Sequence, residues 1–396
     1  MRKLSLAVIG MYISVLSAYS QSTSAGDSSH YKSKKLNLDE VNLVTGYYQQ
    51  TGDHSAVTGG VGTEALNDIA TTIELRLYKY DRKQRRHNFN LELGVDHYTS
   101  ASSDKIDPYT ISSPSHSDTR VYPSIGWTVQ NEEKKTTFGL TGSLSNEFDY
   151  QSYGLGASFT KASKDNNREF SARAQAYFDT WKVIYPIELR GGAEHNEESS
   201  PRNSFSASLS LAQVVNTNLQ LLLVTEPTYQ NGLLATKYQR VYFTNSDVKA
   251  ETLPNSRVKI PLGVRANYFL GDRFIVRSFY RYYQDDWGVK AHTLDLETPI
   301  KLTPFASLTP FYRYYTQAAA DYFAPYAQHT PAEAFYTSDY DLSKFHSQFF
   351  GAGIRLVPLK GVLGIAKWNS VELKYGHYIR SNNLQSNQLS LHIKVK

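Results

Sequence analysis

The chain has 396 residues, a net charge of +5 and 20% charged residues, with a mean hydropathy of −0.46. After residue 20 no run reaches the roughly 18 apolar residues of a spanning helix, which excludes a helical membrane protein. There is no cysteine, which excludes a disulfide scaffold, a thiol nucleophile, a Cys-ligated metal centre and a lipoprotein anchor, and the basic residues are scattered singly, without the Lys/Arg stripe of a nucleic-acid binder.

The N-terminus comes first. Arg2 and Lys3 precede an apolar core, Leu4 to Leu16, and Ala18-Tyr19-Ser20 supplies small residues at the cleavage positions. This is a secretory signal over 1–20, removed at Gln21. Residues 21–40 read as a polar, flexible periplasmic leader.

From Val41 onward the dominant signal has period two. In Glu169–Asp179, Phe170, Ala172, Ala174, Ala176 and Phe178 alternate with Glu169, Ser171, Arg173, Gln175, Tyr177 and Asp179. The pattern returns in 257–266 and in the last segment, where Leu389, Leu391, Ile393 and Val395 alternate with Ser390, His392 and Lys394. It predicts about sixteen strands (roughly 14–18), most about ten to thirteen residues long, which suits a tilted strand crossing a bilayer. The predicted segments are 41–50, 70–80, 88–100, 119–130, 136–147, 150–162, 168–179, 204–215, 218–229, 256–268, 274–286, 290–302, 306–318, 345–357, 369–380 and 385–395. Connections after even-numbered segments are short. Many after odd-numbered ones are long: 51–69, 101–118, 180–203, 230–255 and 319–344. Short periplasmic turns, long outer loops and an even strand count form the layout of a transmembrane antiparallel β-barrel. The fold expected over 41–396 is therefore all-β. The 30 tyrosines and 18 phenylalanines suit aromatic girdles at the lipid–water boundary. One feature departs from that picture: the chain ends Ile393-Lys394-Val395-Lys396, without a terminal aromatic.

The polar faces are rich in Arg with interleaved carboxylates. The densest patch combines Arg277 and Arg281 on strand 11, Asp295 and Glu297 on strand 12, and Arg313 and Gln317 on strand 13. A charge ladder across these neighbours has two readings, an ion-selective constriction that favours anions and a network that stiffens the wall. Asp285 and Asp286, with His292 six residues on, form a weak candidate for a cation, against a plain polar turn in which Trp287 anchors the membrane interface. No HExxH, GxSxG or Walker pattern occurs, so neither an enzyme nor a cofactor is expected.

The most distinctive text is Tyr280-Arg281-Tyr282-Tyr283-Gln284-Asp285-Asp286-Trp287-Gly288, then His292-Thr293-Leu294-Asp295-Leu296-Glu297, then Tyr312-Arg313-Tyr314-Tyr315-Thr316-Gln317-Ala318-Ala319-Ala320-Asp321-Tyr322, and finally Ser338-Asp339-Tyr340-Asp341-Leu342-Ser343. Together with Asp118-Thr119-Arg120 and Glu147-Phe148-Asp149-Tyr150, it resembles a family of bacterial outer-membrane proteins classed as a domain of unknown function. The last segment departs from the family pattern, with Asp341 where a basic residue is common. The resemblance spans roughly 40–396 and implies an outer-membrane β-barrel without an established activity, with a hint of envelope redox biology. The reading as a whole is a porin-like or gated channel for a small polar or anionic solute. The alternative is a non-conducting scaffold in a cell-envelope complex. The expected partners are outer-membrane lipid, the barrel-insertion machinery, and either an envelope protein or further copies of the chain.

Overall fold

The structure is a computed structural model that describes residues 35–99, 117–190 and 198–396. The predicted signal peptide, the leader up to residue 34 and most of the 101–118 loop lie outside the described residues. The wall consists of β1 (Asn37–Thr51), β2 (Leu66–Tyr80), β3 (Arg86–Thr99), β4 (Ser117–Asn131), β5 (Thr136–Asn146), β6 (Tyr150–Ala162), β7 (Arg168–Lys182), β8 (Ser199–Val214), β9 (Leu219–Thr225, continued by Thr228–Gly232), β10 (Ser256–Leu270), β11 (Phe274–Asp285), β12 (Lys290–Glu297, continued by Ile300–Thr303), β13 (Ala306–Gln317), β14 (Phe345–Leu356), β15 (Trp368–Arg380) and β16 (Gln385–Val395). Several strands begin earlier than the hydrophobic pattern suggests. β1 starts at Asn37 rather than Val41, so the expected leader gives up its last residues to the wall. β2 starts at Leu66 rather than Ala70, and β8 at Ser199 rather than Ser204. At the rims both faces of a strand carry polar residues, so the alternation fades before the hydrogen-bonded ladder does.

Consecutive strands pair antiparallel, and β1 closes on β16 from Val41 opposite Val395 to Thr51 opposite Gln385. The result is a closed barrel of 16 strands. β9 and β12 are each interrupted near a proline, Pro227 and Pro299, because proline brings no N–H to the ladder. The wall stays sealed there: Ala207 N donates to the Pro227 carbonyl at 3.1 Å and Ile275 N to the Pro299 carbonyl at 3.2 Å. Both ends of the described chain lie at the rim where the connections are mostly tight, such as 81–85, 132–135 and 271–273. The long connections 52–65, 233–255 and 318–344 all lie at the opposite rim. The final strand is paired on both sides despite its lack of a terminal aromatic. Lys394 forms an ion pair with Glu40, and Val395 packs with Val41, Ile73, Ile393 and Trp368.

The two faces of the wall differ as period two requires. The outward face carries Leu155, Ile125, Leu223 and Leu262, each more than half exposed. The inward face carries Glu74, Arg76, Arg277 and Arg313. The buried apolar clusters among the described residues lie at the β1–β16 seam and in the loops. The barrel interior is therefore not the dry core of a soluble β-barrel.

Aromatic side chains on the inward face lie flat on the wall, over cross-strand glycines. A Cβ on Gly94 would stand 2.0 Å from the Tyr122 ring, and one on Gly376 would stand 2.5 Å from Phe349. The glycines admit the rings and keep them out of the lumen. Tyr122 is further held by donating to Asp96 at 2.8 Å. Gly94→Val should displace Tyr122 and destabilise the barrel by about 1–3 kcal/mol, the usual cost of overpacking. The check is the temperature at which the folded band converts to the unfolded one in gel electrophoresis: it should fall for Gly94→Val and recover when Tyr122→Ala is added.

Candidate functional site

The inward wall is uneven. Along β4 to β8 it is lined by small hydroxyl and glycine residues, including Ser124, Thr141, Ser143, Ser158 and Ser208, around a space of about 650 Å³. Along β10 to β15 the corresponding positions carry arginines and aromatic rings.

The predicted charge ladder lies on that second wall. Register sets Arg277 opposite Glu297 on β12 and Asp295 opposite Arg313 on β13. Arg277 Nη1 meets Glu297 Oε1 at 2.7 Å. Arg313 Nη2 reaches Asp295 Oδ2 at 3.2 Å, and its Nε bonds the other oxygen. Two cross-strand ion pairs thus stand side by side. Arg281 faces Thr293 instead and makes no side-chain hydrogen bond or ion pair among the described residues. Gln317 leaves the ladder altogether: its amide donates to the Asp341 carbonyl at 2.9 Å and the Ser343 carbonyl at 2.6 Å.

Asp285, Asp286 and His292 do not gather. Along strands that alternate, Asp285 points inward and His292 outward, where it meets the Tyr280 hydroxyl at 2.8 Å. Asp285 is enclosed. Its Oδ2 accepts from Arg257 Nε at 3.0 Å and the Tyr283 hydroxyl at 2.7 Å, and its Oδ1 accepts from the amides of Trp287 and Val289 at 3.1 and 3.0 Å. Asp286 accepts from the Val258 amide at 2.9 Å. These contacts saturate Asp285, while Asp286 is exposed and turns one oxygen to the backbone. Trp287 is no membrane-interface anchor either. It is 3% exposed, lies under the Arg257 guanidinium at 4.3 Å and packs with Ala235, Leu253, Tyr322 and Leu342.

That tryptophan is the root of a cap. The 233–255 connection folds into a small ribbon, Arg240–Tyr242 against Val248–Ala250. The 318–344 connection lies on it, with Phe243 bridging to His329 and Thr252 to Tyr336. Val241, Phe243 and His329 are fully buried between them. The cap is tied to widely separated parts of the ring. Arg240 donates to the Val57 carbonyl in the β1–β2 connection at 2.9 Å and to Glu188 in the β7–β8 connection at 3.0 Å. Tyr340 stacks on His54 with centroids 3.8 Å apart. Arg380 on β15 donates to Asp341 Oδ1 and to the Tyr340 carbonyl, each at 2.6 Å. Connections rooted at β1, β7, β9 and β13 thus meet across one mouth of the barrel. Beneath them lies a space of about 470 Å³ between wall residues Tyr48, Tyr378 and Ser386 and cap residues Val57, Gln239 and Asp339. The long outer connections expected from the sequence thus form several loops with a shared core. The readable signal was the unexplained text 285–288, 317–322 and 338–343, all of which converges here. Gly288 shows why that text is specific: it holds φ +85, and a Cβ there would stand 2.3 Å from Asp321.

Two buried acids sit in the cap. Burial pushes the Glu251 carboxyl up to about 7, against hydrogen bonds from Thr337 and the Thr236 amide and the pull of Lys237. Burial also raises the Asp339 carboxyl, reinforced by Asp341 and Glu251 and opposed by the Asp341 amide and Arg380. Each acid holds its proton more tightly folded than unfolded. The cap is therefore most stable below the ordinary carboxylate range of about pH 4, and it loses stability as pH rises through about 7. Hydrogen exchange of the amides in 233–255 and 318–344, corrected for intrinsic rate, should be slower at pH 5 than at pH 8.5, and Glu251→Gln should flatten the difference. Equal protection at both values would contradict this.

In comparisons with solved structures, the chain is similar to a bacterial polysaccharide outer membrane secretin (9% identity, TM-score 0.45, 90% of this chain and 98% of that one). It is also similar to OccK9 (OpdG) of Pseudomonas aeruginosa (10%, 0.41, 90% and 98%) and to a BenF-like porin of Pseudomonas fluorescens Pf-5 (9%, 0.43, 92% and 100%). No curated protein matches by sequence. Residues 83–362 match the model of a family described as "Protein of unknown function (DUF3570)", and the chain belongs to that family.

Proposed function

We propose that the protein is an exported outer-membrane β-barrel that passes small polar or anionic solutes, with the cap gating its outer mouth. The carrying observation is the closed 16-strand wall, with its exposed apolar outward band and its charged, hydroxyl-rich lumen. An exposed apolar band of that extent needs lipid, and barrels of this strand number can enclose an aqueous channel. On this reading the rim of tight connections and both termini face the periplasm, and lipid and the insertion machinery are the partners of the wall. Anion preference rests on cations that remain unneutralised: Arg281 has no ion-pair partner among the described residues, while Arg277 and Arg313 are each matched by a carboxylate.

A second reading has its own support. The cap has a buried core of its own, as a non-conducting scaffold with a docking face for an envelope partner would. Recordings from protein reconstituted in planar bilayers separate the two. In a KCl gradient the wild type should give a reversal potential on the anion-selective side. Arg281→Ala should shift it toward cations, and the combined Arg277→Ala and Glu297→Gln change, which removes a neutral pair, should shift it little. Unchanged selectivity in Arg281→Ala would remove that residue from the role, and absence of any current would favour the scaffold.

A further inference from the structure

Two short stretches singled out in the sequence, Asp118-Thr119-Arg120 and Glu147-Phe148-Asp149-Tyr150, stand apart from the cap knot. They meet at the long-loop rim beside β3 to β6. Asp118 lies at the start of β4, and Glu147 and Asp149 lie in the tight connection from β5 to β6. One carboxylate oxygen from each of Asp118, Glu147 and Asp149 lies within 4.8 Å of the other two. Asp118 is 6% exposed and Asp149 4%.

Carboxylates gathered so closely repel, and burial sharpens the repulsion by removing water. Two basic side chains stand nearby: Arg120, whose Nε is 3.5 Å from Glu147 Oε1 while donating to Ser145 Oγ at 2.9 Å, and His97, which faces Asp118 from β3. Tyr98 donates its hydroxyl proton to Glu147 Oε2 at 2.7 Å, and the Thr119 amide donates to Asp118 Oδ1 at 2.6 Å. Oδ2 of Asp118 is sealed from solvent and meets no donor at hydrogen-bond geometry, with the Phe148 amide turned to the same carboxylate. Buried carboxylate oxygens are almost always met by a donor or a cation, and the carboxylate that carries this one belongs to the three-acid cluster.

We propose that Asp118, Glu147 and Asp149 bind a hard divalent cation, Ca²⁺ in preference to Mg²⁺, which fastens the β5–β6 connection to the start of β4. The donors are all oxygen, with neither sulfur nor imidazole among them, which suits a hard ion. Oxygens on opposite sides of Ca²⁺ stand up to about 5 Å apart, twice the metal–oxygen distance, and the observed spacing fits within that shell. Mg²⁺ requires a tighter and near-ideal octahedron. The double positive charge opposes the mutual repulsion of the three carboxylates, and water completes the shell.

The test uses the purified full chain in detergent with Tb³⁺ and Ca²⁺ as probes. Tyr98, whose hydroxyl sits on Glu147, should sensitise Tb³⁺ emission, and Ca²⁺ should displace it. Half-saturation by Ca²⁺ is expected between about 0.1 and 1 mM, the range of extracellular calcium modules. The thermal midpoint should rise with the logarithm of Ca²⁺ concentration, with Mg²⁺ far weaker. The double variant Asp118→Asn and Asp149→Asn should lose both responses. In EDTA it should unfold at or above the wild-type midpoint, because the repulsion is gone, so its loss of response is distinguishable from loss of fold. A wild-type midpoint equal in Ca²⁺ and EDTA, or equal Ca²⁺ responses in wild type and variant, would overturn the site.

Discussion

The pairing of β1 with β16 is the contact on which the rest of the structure depends. It runs from Val41 opposite Val395 to Thr51 opposite Gln385 and leaves the wall without an open edge. In hydrocarbon an unpaired strand edge would strand its N–H and C=O groups, so only closed β-structures can cross it. Closure also fixes which residues face inward. Once Asn42 and Glu40 take the lumen side at the seam, register carries the same assignment through every neighbouring strand. The prolines that break β9 and β12 are tolerated because adjacent amides reach the proline carbonyls and the ring stays whole.

Closure organises the interior in a second way. Because lipid replaces a hydrophobic core, the volume inside can be polar, and the wall must hold its own side chains in place. Cross-strand ion pairs such as Arg277–Glu297 and aromatic rings laid over glycines do so. The apolar packing that a soluble domain would keep at its centre appears instead in the cap, around Phe243 and Trp287. The cap is thus a small folded unit held by the ring. Arg257, Asp285 and Trp287 form its root, and Gln317 on β13 and Arg380 on β15 tie it to the wall.

The strands were legible because a bilayer-spanning wall imposes alternation over its whole height, and β6, β13 and β16 lie within a residue of their predicted bounds. The rims were not, because polar residues such as Asn67 and Ser200 continue the ladder without a change of polarity between faces. The ladder residues were found, but their partners depend on register, which period two alone does not give. Arg277 and Arg313 acquired carboxylates and Arg281 did not. The cap was illegible as a structure because its contacts join distant segments, such as Thr252 and Tyr336, 84 residues apart. Its text was nevertheless conspicuous: Asp285-Asp286-Trp287-Gly288 looked like a polar turn with an interfacial tryptophan, and the burial of Trp287 comes from loops that approach from elsewhere in the sequence.

If the cap covers the pore of a membrane-spanning barrel, loosening the cap should open it. Single-channel current from the wild type, set beside that from a variant with both wall ties removed (Gln317→Leu and Arg380→Ala), tests it most directly. The wild type should give small or intermittent current and the variant a severalfold larger, steadier one. A large steady current in the wild type that the variant leaves unchanged would contradict it.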